Sequence, residues 1–338
     1  MRHNKITLND EVVIDLTQDT VTEEDVVEGK TFHKADGTTS VGTLIPEDLD
    51  AKLTEQEDLI AELKDALTSG GSGGGNWEEW IGDGKTHLFS EIAAEGRMDV
   101  TLNFTQTVSN GVSIDWGDGS APQTLSGSGK VSTTHTYASI GKYVITLDIA
   151  EGCTIELGHS SYGTCVMGRA SYGPHTSILK KAEISNGVTK LSHYTFNYCC
   201  SLTSVVIANS VTSIDSGAFD QCHALVHVVI PNSVTSIGSN AFSYCRSLAS
   251  IVIPNSVTSI GSGAFNICSS LASVVITNSE TSIGSSAFSN CTNTKVYDFT
   301  KCTSVPTLPN TNVFMSIPSD CEIRVPMALI DEWKAATN

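Results

Sequence analysis

The chain predicts a mainly β, multidomain protein, and three observations carry that expectation. Phe196, Phe219, Phe242, Phe265 and Phe288 recur every 23 residues, a period that signals stacked repeats. Residues 98–149 alternate apolar and polar in MDVTLNF, VSIDW and KYVITLDI, separated by the turn-rich WGDGSAP and SGSGK, the pattern of a small antiparallel sandwich. Residues 69–76 read SGGSGGGN, a flexible linker by composition. The expected order is a small β module over 1–45, a short coiled-coil helix over 46–68, the linker, a sandwich over 77–157, a connector and N-terminal cap over 158–183, repeats over 184–301 and a C-terminal cap over 302–338.

The N-terminal module contains an Asp36-Gly37 turn between short strands and is too small to be stable alone. The run VVEGKTFHKADG, residues 26–37, with Val41-Gly42-Thr43 resembles a module recurrent in phage tail and tail-fibre proteins. That resemblance implies attachment to other tail or virion proteins. Next, Leu49, Leu53, Gln56, Ile60, Leu63 and Leu67 alternate at spacings of four and three, the seam of a coiled coil about three heptads long. Self-association, with a trimer favoured, is expected, and Gln56 would help set its register. The alternative is one amphipathic helix packed on its own chain.

In the sandwich, Trp116 and Tyr143 are expected core aromatics, and Asp118-Gly119 supplies a turn. The pieces IDWGDGS (114–120), HTY (135–137) and GKYVI (141–145) resemble the polycystic-kidney-disease-type (PKD) immunoglobulin-like domain. Asp115 and Asp118 are too few carboxylates to require calcium, so a turn role is expected for them.

A 23-residue unit cannot bury an apolar face alone, so the copies stack into a solenoid. Leu202, Leu225, Leu248 and Leu271 keep the Phe period, as do Ile207, Ile230, Ile253 and Ile276. Cys199, Cys222, Cys245, Cys268 and Cys291 do so as well. One cysteine per rung does not converge on a tetrahedral metal, so this column is expected to pack, with no metal and no cofactor. The pattern I-G-x-x-A-F-x-x-C-x-S-L-x-S-V-x-I-P-N-S-V-T resembles the BspA-like leucine-rich repeat, covering five units. The resemblance implies a leucine-rich-repeat solenoid that presents a binding face, found in bacterial surface proteins and phage or prophage proteins. Thr277, Glu280 and Thr294 depart from the pattern and mark the last rung as irregular. The tail, with CEIRV as a strand and MALIDEW as a helix, is expected to cap the stack.

Composition limits the function. A formal charge of −18 argues against nucleic-acid and anionic-membrane partners. No run of about 18 apolar residues exists, so membrane insertion is not expected, and the N-terminus lacks the apolar core of a secretory signal. Gly82-Asp83-Gly84-Lys85-Thr86 lacks the first glycine of a phosphate loop, Glu79 standing in its place. His223 and His227 have no third ligand to make a metal site. Neither H-E-x-x-H nor C-x-x-C occurs, so the expectation is a non-enzyme.

The informative positions are those that vary between copies. Tyr198, Gln221, Tyr244, Ile267 and Asn290 precede the cysteines, and Cys200, His223, Arg246, Ser269 and Thr292 follow them. Tyr198, Gln221, His223, Tyr244, Arg246, Ile267 and Asn290 are the receptor-binding candidates, and Tyr244 and Arg246 are expected to be free of stacking constraint. The leading expectation is a phage tail fibre, in the virion, that binds a host-surface protein or glycan. The alternative is a bacterial surface adhesin built on the same repeats.

Overall fold

The computed structural model describes residues 81–92, 99–158, 164–169, 178–279, 281–309 and 311–337, with four short strands ahead of them. Those strands form two antiparallel pairs, β1 (Lys5–Leu8) with β2 (Val12–Asp15) and β3 (Thr31–His33) with β4 (Thr39–Val41). The last two flank the expected Asp36-Gly37 turn. The expected coiled-coil seam from Leu49 to Leu67 and the linker lie outside the described residues.

The sandwich comprises β5 (Thr86–Ile92), β6 (Asp99–Gln106), β7 (Val112–Asp115), β8 (Gln123–Thr124), β9 (Gly129–Thr136), β10 (Gly141–Ile149) and β11 (Ile155–Leu157). Alternation dictates the packing: Val100, Leu102 and Phe104 of β6 and Ile145 and Leu147 of β10 are fully buried between the two sheets. Trp116 is buried as expected, but the second core aromatic is Tyr137, whose hydroxyl donates to the Trp116 carbonyl at 2.8 Å. Tyr143 is only half-buried, stacked on Tyr137 with ring centroids 4.1 Å apart. It shares the inward face of β10 with Ile145 and Leu147 and packs against the core from the end of the strand.

A small hairpin, β12 (Thr164–Cys165) with β13 (Gly168–Arg169), carries the buried Val166 and Met167. Beyond it come β14 (Leu179–Ile184) and β15 (Val188–Leu191). These two strands join the sandwich to the solenoid. One sheet runs β8-β7-β10-β5-β14 and continues into Ser204–Ile207 and His227–Val228; the other runs β9-β6-β11-β15 and continues into Ser213–Ile214, Ser236–Ile237, Ser259–Ile260 and Ser282–Ile283. Pairing is antiparallel on the sandwich side (β5 with β14, β6 with β11) and parallel on the solenoid side (β14 with Ser204–Ile207, β11 with β15). A free first rung would expose a row of unpaired backbone groups. The sandwich supplies strand partners, and within residues 158–183 the Val166 amide donates to the Thr195 carbonyl at 2.6 Å, so both close the first rung and one continuous core runs through them.

Within the solenoid, each rung places its apolar columns at the same depth. The five phenylalanines are fully buried and stack with centroids 4.9–5.2 Å apart. Each contributes about 1.5–3 kcal/mol by burial alone. Rungs approach this closely because Gly238, Gly261 and Gly284 lie flat against the chain of the rung before. A Cβ at Gly261 would fall on the Ser239 nitrogen and 2.5 Å from the Gly238 carbonyl carbon. Earlier in that column, Asp215 admits a side chain, which turns to Lys190 at 2.9 Å and His193 at 3.0 Å.

The irregular last rung is satisfied locally. Thr294, where leucine was expected, is fully buried and donates to the Leu271 carbonyl at 2.7 Å; Thr277 donates to the Ile253 carbonyl at 3.0 Å. Phe314, out of period, continues the ring stack on Phe288 at 6.0 Å and 9°. The tail adds Glu322–Val325 in parallel to Val296–Asp298, then a helix, Ile330–Thr337, whose Trp333 packs on Phe299 at 4.5 Å.

Candidate functional site

The varying residues sit on the turn edge that joins the short strand of each rung to the long one. Two columns along this edge hold left-handed backbone. Tyr194, Gly217, Asn240, Gly263 and Ser286 form one, with φ between 54° and 66°; Tyr198, Gln221, Tyr244, Ile267 and Asn290 form the other, with φ between 58° and 65°. In the second column every backbone N–H donates to the next turn: Tyr198 to Asp220, Gln221 to Ser243, Tyr244 to Asn266, Ile267 to Ser289 and Asn290 to Met315, at 2.7–3.0 Å. Tyr244 is therefore not free of stacking constraint. Its backbone is a stacking element and only its side chain varies.

That constraint makes the choice of side chains informative. Glycine and asparagine adopt φ near +60° readily, whereas larger L-residues are strained there and a β-branched residue is an outlier. The first column uses glycine twice and asparagine once. The second, in the same rungs at the same φ, carries two tyrosines, a glutamine and an isoleucine. Strain that persists where a cheaper residue would fit marks function. Replacing Ile267 with asparagine is expected to stabilise the fold by about 1 kcal/mol, read as a rise in the denaturant midpoint; an unchanged or lower midpoint would remove the strain argument.

The side chains make a half-buried strip. Arg246, exposed, lies over the Tyr244 ring with 5.5 Å to its centroid. His223 Nε2 meets Gln221 Oε1 at 2.9 Å, and burial, then the neighbouring Arg246 charge, lowers the His223 pKa. Asn290 donates to the Asn266 Oδ1 at 3.2 Å. Under the strip lies Asp220, whose carboxyl burial pushes up to about 6, although Ser243, Asn197 and the Gln221 amide bond to it. Sequence reasoning missed Asp220; the signal was there, since the same column holds asparagine at Asn197 and Asn266.

Asp220 makes stability depend on pH. Its folded pKa of about 6 stands above the reference 3.8, so the folded state holds the proton more tightly. The stabilisation is complete below about pH 3.8 and is lost as pH rises through about 6. Asp220→Asn is expected to leave stability at pH 4 nearly unchanged. At pH 7.5 it should add about 1–2 kcal/mol, after discounting for solvent screening of a group that is only half-buried. Denaturation at the two pH values checks this, and equal effects at both would contradict it.

The structure gives the cysteine column a role that spacing alone did not show. Cys222, Cys245, Cys268 and Cys291 donate their thiols to the carbonyls of Phe196, Phe219, Phe242 and Phe265 at 3.1–3.2 Å. Each thus ties one rung to the one before. All five of the column, Cys199 included, are fully buried. Burial raises the Cys222, Cys245 and Cys268 pKa values strongly and that of Cys291 to about 12, far from thiolate reactivity. Cysteine fits because a slot that needs a small apolar body also offers an acceptor.

Other sequence candidates resolve into turns. Asp115 accepts the Gly117 amide at 2.9 Å; Asp118 accepts the Ser120 amide at 3.0 Å and meets His135 at 2.7 Å. Bonds from Ser120, then His135, hold the Asp118 carboxyl down at about 2. Gly82 of the loop-like GDGKT donates to buried Glu183 at 2.8 Å, and Asp83 meets His87 at 2.7 Å. His223 and His227 stand on a turn and a strand respectively and are not brought together. Among the described residues no group of three or more His, Cys, Asp or Glu is placed to hold a metal ion, and no helix is long and apolar enough to cross a membrane.

Comparison with known proteins agrees with the stack. Residues 175–319 match the BspA type leucine rich repeat region in six copies, one more than the phenylalanine ruler counts. Six strands keep the 23-residue register, from Lys181 in β14 to Val296; the sixth has no phenylalanine in period, and Phe314 takes that place in the ring stack. No curated protein matches. Among solved structures, the chain is similar to a T. pallidum leucine-rich repeat protein at 25% identity, over 47% of this chain and 70% of that one, with a TM-score of 0.35. It is similar to a leucine rich cell surface protein from Faecalibacterium prausnitzii A2-165 at 25% identity, over 48% and 64%, with a TM-score of 0.27. A leucine-rich repeat protein from Bacteroides ovatus ATCC 8483 is similar at 19% identity, over 44% and 63%, with a TM-score of 0.19. The match spans less than two thirds of the last two chains. With its two strands per rung, its 23-residue period and its Phe and Cys columns, residues 175–319 are a BspA type leucine-rich repeat region.

Proposed function

We propose that the protein is a non-enzymatic adhesin of the bacterial cell surface, and that it attaches to a host-surface receptor through the turn edge of its repeat region. One observation carries this: the column Tyr198, Gln221, Tyr244, Ile267 and Asn290 keeps large side chains at left-handed backbone, while the parallel column in the same turns uses mostly residues that tolerate it. Tyrosine and arginine suit recognition because each combines apolar area with a polar tip. The BspA type repeat region supports the surface-adhesin reading over the tail-fibre one, whose coil lies outside the described residues and whose N-terminal module is described only in its short strands. Self-association through Leu49 to Leu67, as a trimer, would multiply a weak contact at each edge into useful avidity.

Two measurements test the proposal. Exchanging Tyr198, Tyr244 and Arg246 together for alanine is expected to weaken adsorption to target cells at least tenfold with melting unchanged; unaltered adsorption would remove the edge from the reading. Antibody labelling is expected on intact bacteria, and labelling of phage particles instead would restore the tail-fibre assignment.

A further inference from the structure

The chemistry of the edge narrows what it can hold. Its backbone donors are consumed rung to rung, from Tyr198 through Asn290, so a peptide cannot add along it as an extra strand. Recognition must run through side chains alone. Those side chains are a phenol ring at Tyr198, an amide and imidazole at Gln221 and His223, a phenol ring and guanidinium at Tyr244 and Arg246, an alkyl group at Ile267 and an amide at Asn290. They rise at the rung spacing that the phenylalanine stack sets, 4.9–5.2 Å. Flat aromatic faces alternating with planar, multiply bonding polar groups suit a chain of sugar rings, each with an apolar face and a rim of hydroxyls.

One charge distinguishes the strip. Arg246 is exposed and forms no ion pair among the described residues, while Tyr244 supports the guanidinium from beneath and His223 stands one rung away. Arginine binds carboxylate through a bidentate fork. The protein as a whole carries −18 and repels polyanions, so a ligand with many charges is disfavoured where a single carboxylate is not.

Resting on the proposed recognition role, we infer that the edge binds a glycan bearing one carboxylate, which Arg246 receives while Tyr244 and Tyr198 stack the neighbouring rings. The probes are 3′-sialyllactose and lactose, which share the neutral disaccharide and differ by the acidic sugar, with an acidic peptide and heparin as the competing classes. Titration by NMR of the intact chain is expected to show sialyllactose binding at least tenfold more tightly than lactose. Arg246→Gln should abolish that discrimination, and Arg246→Lys should restore part of it. Equal binding of the two sugars, discrimination that survives Arg246→Gln, or tighter binding of the peptide or heparin would overturn the inference. The general role is judged separately: adsorption that is lost in the Tyr198, Tyr244 and Arg246 variant but persists on sialidase-treated cells would defeat the acidic-sugar assignment alone.

Discussion

Gly261→Ala is expected to cost the fold about 3 kcal/mol or more, at the upper end of overpacking, and to lower the denaturant midpoint sharply. The backbone at Gly261 is not left-handed, so the effect comes from contact alone. A Cβ there meets the Ser239 nitrogen and the Gly238 carbonyl carbon, both main chain, and neither can swing aside as a flexible side chain would. Relief requires the rungs to part, which loosens the Phe242 and Phe265 rings from their 5.2 Å stack and lengthens the thiol bond from Cys268 to Phe242. Gly238→Ala should behave alike, with the Ser216 nitrogen and the Asp215 carbonyl carbon as its obstacles. Alanine at exposed Gly119, where nothing lies within 4 Å, separates steric from conformational cost and is expected to lose only about 1 kcal/mol. A Gly261→Ala midpoint within the error of wild type would show that the glycine column does not set the rung spacing.

The second large effect is expected from removing the sandwich. A chain beginning at residue 178 keeps every repeat but strips β5 from β14 and β6 and β11 from β15. Leu179, Ala182, Ile184, Val188 and Leu191, all fully buried, then form an open end. Repeat stability is a sum of rung and neighbour terms, and an uncapped end forfeits both solubility and cooperativity. Loss of a sharp thermal transition is expected, with aggregation on concentration, whereas a chain beginning at residue 81 melts cooperatively. A cooperative transition in the shorter chain would mean that the solenoid caps itself.

How much of this was written plainly in the residues varies with the kind of constraint. Phe196 to Phe288 and Cys199 to Cys291 were legible because burial selects one residue type per slot, and repetition exposes it. The β14 junction was not, because LKKAEI keeps the Leu179 and Ile184 of a repeat strand while its other edge pairs with β5, a contact that repetition does not announce. The left-handed column hid for a related reason: Tyr, Gln, Tyr, Ile and Asn do not announce positive φ, whereas Gly217, Asn240 and Gly263 four residues earlier do. Tyr143 has the inward phase that alternation gives it, but at the end of its strand it is only half-buried, and Tyr137 fills the interior. At the site, the variable positions were found by comparing copies, but Asp220 was passed over because its column looked merely polar.

The rung-to-rung bonds also bear on how such a molecule would respond to pulling. The strand hydrogen bonds, the turn-edge amides and the cysteine thiols all point along the stacking axis, so a tug in that direction loads one interface at a time instead of shearing many together. Rungs should peel in succession, each paying out 23 residues, or about 76–83 Å of extended chain. A cell held by this edge in flowing liquid would find its tether lengthening before it let go.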